Sequence, residues 1–178
     1  MHADARAGFS LLELLLVIFI ISLVYFLGFE ALSEEKRKEP SLTPLMLKQT
    51  LLQSGLFAKG GTFLCTDKCK QCYYRSDISE PFEPYKGKID LSGLSVYTLD
   101  KDYHLVEPEY GRYKDHKICL LIRFHPNGSS TPLILENAKG TYYLPAYFTQ
   151  AQQTQSPQKA QALWTAHAHT LSNRGDFY

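Results

Sequence analysis

Charge of either sign is missing from this chain as a net quantity. Nineteen Lys and Arg residues stand against eighteen Asp and Glu, leaving a formal charge of +1. That balance gives no electrostatic case for nucleic-acid binding. The basic run Lys36-Arg37-Lys38 is flanked by Glu34, Glu35 and Glu39 and reads as a solvated helix face. No internal repeat is present, which excludes solenoid and propeller architectures. No Ser/His/Asp arrangement, phosphate-binding loop or paired catalytic carboxylates occur, so the sequence offers no enzyme, no cofactor and no catalytic residue. There is no clustered Asp/Asn set of the kind calcium needs. No A-x-A processing site follows the N-terminal apolar run; Ala31-Leu32-Ser33 is the nearest and is poor.

What is present is concentrated at the N-terminus. Gly8 to Phe29, GFSLLELLLVIFIISLVYFLGF, is an apolar stretch of roughly membrane-spanning length. It is interrupted near its start by one acid, Glu13. A carboxylate near the bilayer centre costs about 2.5–3.5 kcal/mol on insertion scales. A plain signal anchor has no reason to place Gly-Phe-Ser at its boundary with an acid inside. The string Gly8-Phe9-Ser10-Leu11-Leu12-Glu13 resembles the processing site of type IV pilins and pseudopilins. The resemblance implies cleavage between Gly8 and Phe9 by prepilin peptidase, N-methylation of the new N-terminal Phe9, and a role for Glu13 in assembly. The leader departs from a strongly basic one, since Arg6 is offset by Asp4. Lys36, Arg37 and Lys38 lie beyond the apolar run, so the lysine and arginine count does not favour a cytoplasmic N-terminus. Orientation is implied by the resemblance and not by charge.

The chain is long enough for this anchor plus one small domain of about 100 residues. The first helix is expected from Phe9 to near Lys38, broken by Pro40 and Pro44. Thr43-Pro44 reads as an N-cap followed by proline at the first helical position. A second, amphipathic helix through Leu45, Leu47, Leu51 and Leu52 is expected to end at Gly55. Strands are expected over Thr62–Thr66, Cys72–Ser76, Leu94–Leu99 and Tyr103–Glu107. The last two would form a hairpin around Asp100-Lys101-Asp102. Lys117–His125, Thr131–Glu136 and Thr141–Phe148, separated by Pro126-Asn127-Gly128 and Asn137-Ala138-Lys139-Gly140, read as a three-stranded meander. The expected organisation is thus leader 1–8, transmembrane and emergent helix 9–38, kinked helix and linker 39–60, β domain 61–149 and polar tail 150–178.

Ile122 to Ser130, with Phe124-His125-Pro126-Asn127-Gly128-Ser129, resembles the Phe-x-Pro-x-Gly-x-Ser hairpin of H-type minor pseudopilins and FimT-type pilins. With the N-terminal motif, the resemblance covers about a third of the chain. It implies a pilin-like α+β fold, a long N-terminal helix with a small antiparallel β domain. It implies a minor pseudopilin of a type II secretion system, held in the bacterial inner membrane with its C-terminal domain in the periplasm. Implied partners are prepilin peptidase, other minor and major pseudopilins, the inner-membrane assembly platform and membrane lipid. The absence of a calcium loop agrees with a minor subunit. A minor pilin of a type IV pilus or DNA-uptake machine shares these features. A membrane-anchored periplasmic binding protein is the alternative of a different class.

Four cysteines stand in the chain: Cys65, Cys69, Cys72 and Cys119. The first three have the C-x3-C-x2-C spacing that resembles cluster binding in radical S-adenosylmethionine enzymes. The chain is too short for such a barrel, its pattern is wrong, and the position usually aromatic before the third cysteine is Gln71. Two disulfides, in any of three connectivities, or one structural zinc stay open. An oxidising compartment favours disulfides. Cys119 would then bridge to one of Cys65, Cys69 or Cys72, with the other two paired. A closure of about 50 residues contributes roughly 4 kcal/mol in the chain-entropy model. His167-Ala168-His169 reads as surface decoration on a helix starting at Ser156-Pro157, with Leu163 and Trp164 docking it. Asp115, His116 and Cys119 suggest no ligand geometry.

Overall fold

A computed structural model describes residues 10–33, 41–147 and 150–173, with the side chains of 26–33 and 169–173 outside the description. The chain divides into two compact units, Met1–Lys38 and Glu39–Tyr178.

The first unit contains α1, Leu11–Ser33. It is apolar on every side, so nothing within its own sequence selects a face to bury. Leu11, Leu12, Leu15, Phe19 and Tyr25 are all exposed within the chain. Among the described residues no helix is long and apolar enough to cross a membrane; the side chains of α1 are described only as far as Tyr25. Its backbone goes on to Ser33, 23 residues in all. At about 1.5 Å per residue that is about 34 Å, against a hydrocarbon core of about 30 Å. Gly8, Phe9 and the expected extension to Lys38 lie outside the described residues.

The second unit opens with a short parallel pairing. Leu42 N–H donates to Lys88 O at 2.8 Å and Asp90 N–H to Leu42 O at 3.0 Å. Helix α2 then spans Leu47–Gln53. It starts later than the proline position predicts. Thr43 to Met46 form a turn instead, with Met46 N–H donating to Thr43 O at 3.1 Å and to Thr43 Oγ1 at 3.4 Å. Leu45 therefore sits in the turn, 39% exposed, and the buried face of α2 is Leu47, Lys48 and Leu51. Gly55, at φ +74°, follows the helix as expected.

Among the described residues ten strands follow: β1 Gly61–Thr66, β2 Gln71–Arg75, β3 Glu83–Pro84, β4 Ser95–Leu99, β5 Leu105–Val106, β6 Arg112–Tyr113, β7 His116–Phe124, β8 Leu133–Asn137, β9 Gly140–Leu144 and β10 Gln152–Thr154. They form two five-stranded antiparallel sheets, ordered β3-β2-β1-β7-β6 and β10-β9-β8-β4-β5. Helix α3, Pro157–Asn173, closes the described chain. An N-terminal helix with antiparallel sheets fits a pilin-like α+β architecture.

The expected meander is corrected. β7 pairs with β1 and β6, whereas β8 pairs with β4 and β9, so the Pro-Asn-Gly turn carries the chain from one sheet to the other. The hairpin does begin. Phe124 bridges Ser130, and Thr131 N–H donates to Arg123 O at 2.9 Å. The next residue is Pro132, which has no N–H to extend the ladder, and the chain leaves for the second sheet.

The main core lies between the sheets and under α2. Phe63, Cys65, Leu120, Ile122 and Phe124 of the first sheet meet Val96, Leu133, Leu135, Tyr142 and Leu144 of the second, with Leu47 and Leu51 added by the helix. A smaller cluster covers the opposite face of the second sheet. There Ile134 and Tyr143 pack with Ala160, Leu163 and Trp164 of α3.

Candidate functional site

Ser10 and Glu13 begin α1 as a capping box. Ser10 Oγ accepts from Leu12 N–H at 3.3 Å, and Ser10 N–H donates to Glu13 Oε2 at 3.4 Å. Ser10 O takes the N–H groups of Glu13 (3.0 Å) and Leu14 (3.2 Å). The reciprocal arrangement satisfies amides that otherwise have no partner at a helix start. It also turns the Glu13 carboxylate back toward the N-terminus of the helix, where the dipole favours negative charge. The spacing S-x-x-E is readable in the sequence as a helix start; the sequence reading took Glu13 only for its charge. Gly8 and Phe9, on either side of the implied cleavage, lie outside the described residues.

The four cysteines form two disulfides, Cys65–Cys72 and Cys69–Cys119, and none is free. With every thiol taken up, the cluster-like spacing offers no thiolate to iron or zinc. Cys65 and Cys72 are direct partners across β1 and β2, with Cα atoms 4.0 Å apart. Cys69 belongs to the loop between those strands, where Asp67, Lys68 and Cys69 all have positive φ (50°, 53° and 63°). That run turns Cys69 inward, and its side chain is fully buried. Cys119 is reached through a β-bulge. Cys65 pairs with Leu120 and Thr66 with Ile118, which leaves Cys119 as the extra residue. The bulge lets Cys119 join Leu120 on the core side of the sheet, where it packs against the core cluster.

The remaining polar groups serve turns or packing. Asp100, Asp102 and His104 are exposed, and their ligand-capable atoms lie within 4.8 Å of one another. Asp100 Oδ1 already accepts from the N–H groups of Asp102 (2.9 Å) and His104 (2.8 Å), and the His104 amide leads the causes that hold this carboxyl below its ordinary range. A cleft of about 870 Å³ between Gly55–Lys59 and Tyr74–Glu83 carries Lys59 and Arg75 with Asp77 and Glu80. Asp77 accepts from Ser79 Oγ at 2.6 Å and Glu80 from Ser76 Oγ at 2.7 Å, so both carboxylates are occupied by their own loop. His167 lies 5.7 Å from the Tyr143 ring, and Trp164 stacks on the same ring at 5.9 Å. The side chain of His169 is outside the described residues. Asp115 is exposed and bends the β6–β7 turn at φ +65°.

The polar group that sequence reasoning missed is Lys48. It is 5% exposed, and its Nζ donates to Pro145 O (2.6 Å), Ala146 O (3.1 Å) and Tyr147 O (2.7 Å). Burial pushes its pKa down to about 8. A lysine inside an amphipathic helix reads as a solvent-facing position, so no sequence signal marked it.

No curated protein and no solved structure matches the chain. Residues 4–24 match the family described as the prokaryotic N-terminal methylation motif, the signal of type IV pilin-like proteins that prepilin peptidase processes.

Proposed function

We propose that the chain is a minor pseudopilin of the H type, a structural subunit with no enzymatic activity. Its precursor crosses the inner membrane once, with the β domain in the periplasm. Prepilin peptidase cuts between Gly8 and Phe9, and Phe9 is methylated. The processed subunit joins other minor and major pseudopilins at an inner-membrane assembly platform and enters the pseudopilus of a type II secretion system.

The observation that carries this reading is the methylation motif over residues 4–24. It coincides with the start of α1, the Ser10–Glu13 capping box and a run of exposed apolar side chains. The hairpin after β7 supports the H-type assignment. Gly128 stands at φ +77°, and Asn127 Oδ1 accepts from Ser129 N–H and Oγ at 3.0 and 2.7 Å. Two disulfides suit a periplasmic domain.

An in-frame deletion, complemented by the full-length precursor, tests the machine. Loss of exoprotein secretion with piliation and transformation intact is the expected outcome. Loss of pili or of DNA uptake with normal secretion would move the chain to a type IV pilus or a competence pseudopilus. Normal behaviour in all three, with no other pilin-like subunit co-purifying, would leave a membrane-anchored periplasmic binding protein.

A further inference from the structure

Lys48 occupies an unusual position for a lysine. It stands between Leu47 and Leu51 on the buried face of α2, and all three of its ammonium hydrogens have a backbone carbonyl to go to. The three acceptors are consecutive: Pro145, Ala146 and Tyr147. Among the described residues no carboxylate accepts from it, and burial is the cause that moves the pKa, down to about 8. α2 carries no other charged residue, and the titratable group on the accepting segment is the Tyr147 phenol, half exposed. The segment is tied at one further point, where Ala146 O accepts from Ser130 N–H at 2.7 Å.

Residues 145–147 are the exit from β9, and the chain then supplies β10 and α3. Apart from Ala151, just before β10, these C-terminal elements lie outside the main core. β10 pairs with β9 over three residues. α3 sits on the far face of the second sheet through a small cluster in which Ala160 is its fully buried contribution. Tyr97 and Leu105 also pack on this cluster, and Gln161 Nε2 donates to Tyr103 O at 2.7 Å, so the unit has a small core of its own and can open as a local unit. Its attachment therefore depends on how firmly the segment entering it is fixed.

We propose that Lys48 is an internal latch: its ammonium fixes the exit from β9, and removing the proton or the side chain releases the β10–α3 unit from the second sheet while the two-sheet core stays folded. A neutral amine has two N–H donors for three carbonyls and loses the charge-assisted part of each bond. The deprotonated latch is weaker on both counts.

Trp164 is the single tryptophan of the chain and stacks on Tyr143, so it reports the seat of α3 directly. Burial pushes Tyr143 up to about 12, so its phenol stays neutral through the range tested. The experiment uses the processed full chain in detergent micelles, from pH 7.5 to 9.5, above the usual range of histidine titration. It combines acrylamide quenching of Trp164 with hydrogen exchange corrected for intrinsic rates. In Lys48→Met at pH 7.5, opening of Gln152–Thr154 and the first turns of α3 should rise about tenfold, the least that losing one charge-assisted hydrogen bond implies. β7 and β8 should keep their protection. Wild type should approach the variant as pH rises, and the variant should show no such slope. Equal loss of protection in β7 and β8, unchanged protection of β10–α3 in the variant, or a pH slope that survives in Lys48→Met would overturn the latch. Should Lys48→Met fail to fold, the wild-type series decides alone. Flat Trp164 quenching and flat β10–α3 exchange from pH 7.5 to 9.5 would overturn it.

Discussion

Cys69 is the third of three consecutive left-handed residues, and Cys119, its disulfide partner, is the extra residue of a β-bulge. Each end of the bridge thus sits where the backbone departs from its ordinary course. A left-handed conformation costs a non-glycine residue about 1–2 kcal/mol. Asp67, Lys68 and Cys69 hold it together; Lys70 N–H donates to Thr66 O (3.2 Å) and Asp67 O (3.1 Å), and the crosslink adds a tie from Cys69 to β7.

The two disulfides should therefore differ in worth. The Cys69–Cys119 pair is separated by 50 residues and Cys65–Cys72 by 7. In the chain-entropy model these closures contribute about 4 and about 2 kcal/mol. Denaturant unfolding of the Cys69→Ser/Cys119→Ser and Cys65→Ser/Cys72→Ser variants should show the larger loss in the first. In that variant, exchange should also rise in Asp67–Lys70 beyond the global change, as the left-handed run relaxes. Equal losses, or a larger loss on removing Cys65–Cys72, would mean the long closure does not hold the loop.

Gly61 opens β1 at φ +142°, and its missing side chain is required twice over. A Cβ there would run into the carbonyl oxygen of Arg75 and lie 2.9 Å from Phe57 Cδ1 and 3.1 Å from Ser76 Cα. The first is backbone of the paired strand and cannot rotate away. Gly61→Ala should cost about 2–4 kcal/mol, the range for overpacking and incompatible backbone. Gly93→Ala is the control, because Gly93 has a positive φ in the left-handed region (+68°) and open space around it, so that it carries backbone strain without the clash. Thermal unfolding that ranks Gly93→Ala as the more damaging would reject the steric account.

Much of this architecture is legible from residue order. The apolar run gives α1, Gly55 stops α2, and alternation or apolar clustering marks β1, β2, β4, β7, β8 and β9. β3, β6 and β10 escape notice because two or three residues cannot display a period. β10 is hidden further by its composition, since Gln152 and Gln153 belong to a stretch that reads as a polar tail. The meander fails because one proline, Pro132, outweighs a good turn. Disulfide connectivity is silent in the spacing, as it depends on a bulge that shifts a strand by one residue. Lys48 is silent for a different reason. Its partners are carbonyls, which every residue owns, so nothing at positions 145–147 announces a site for a cation.

Processing is open to a direct measurement. The mature protein should begin at Phe9 and carry one N-methyl group, read by mass spectrometry of the N-terminal peptide. Gly8→Glu should block cleavage, because the resembling site needs a small residue there. Recovery of intact Met1–Gly8 from membranes of cells with active prepilin peptidase would remove the basis for the pseudopilin assignment.

Glu13 has two separable properties, a charge and an acceptor atom. The acceptor serves Ser10 N–H within the capping box, and helix starts of this kind are worth about 0.5–2 kcal/mol. The charge is costly in lipid unless paired, and cleavage would create a positive amine on Phe9, one turn from Glu13 along the chain. Glu13→Gln keeps a carbonyl oxygen for the cap and loses the charge. Glu13→Val loses both. If assembly needs the charge, the two variants should fail alike in incorporation into the filament and in the transport that depends on it. Membrane insertion and cleavage should persist in both, with insertion eased by removal of the charge. If the cap is what matters, Glu13→Gln should restore assembly and Glu13→Val should not. Full transport and normal co-purification with both variants would mean that Glu13 snorkels to the interface and has no part in assembly.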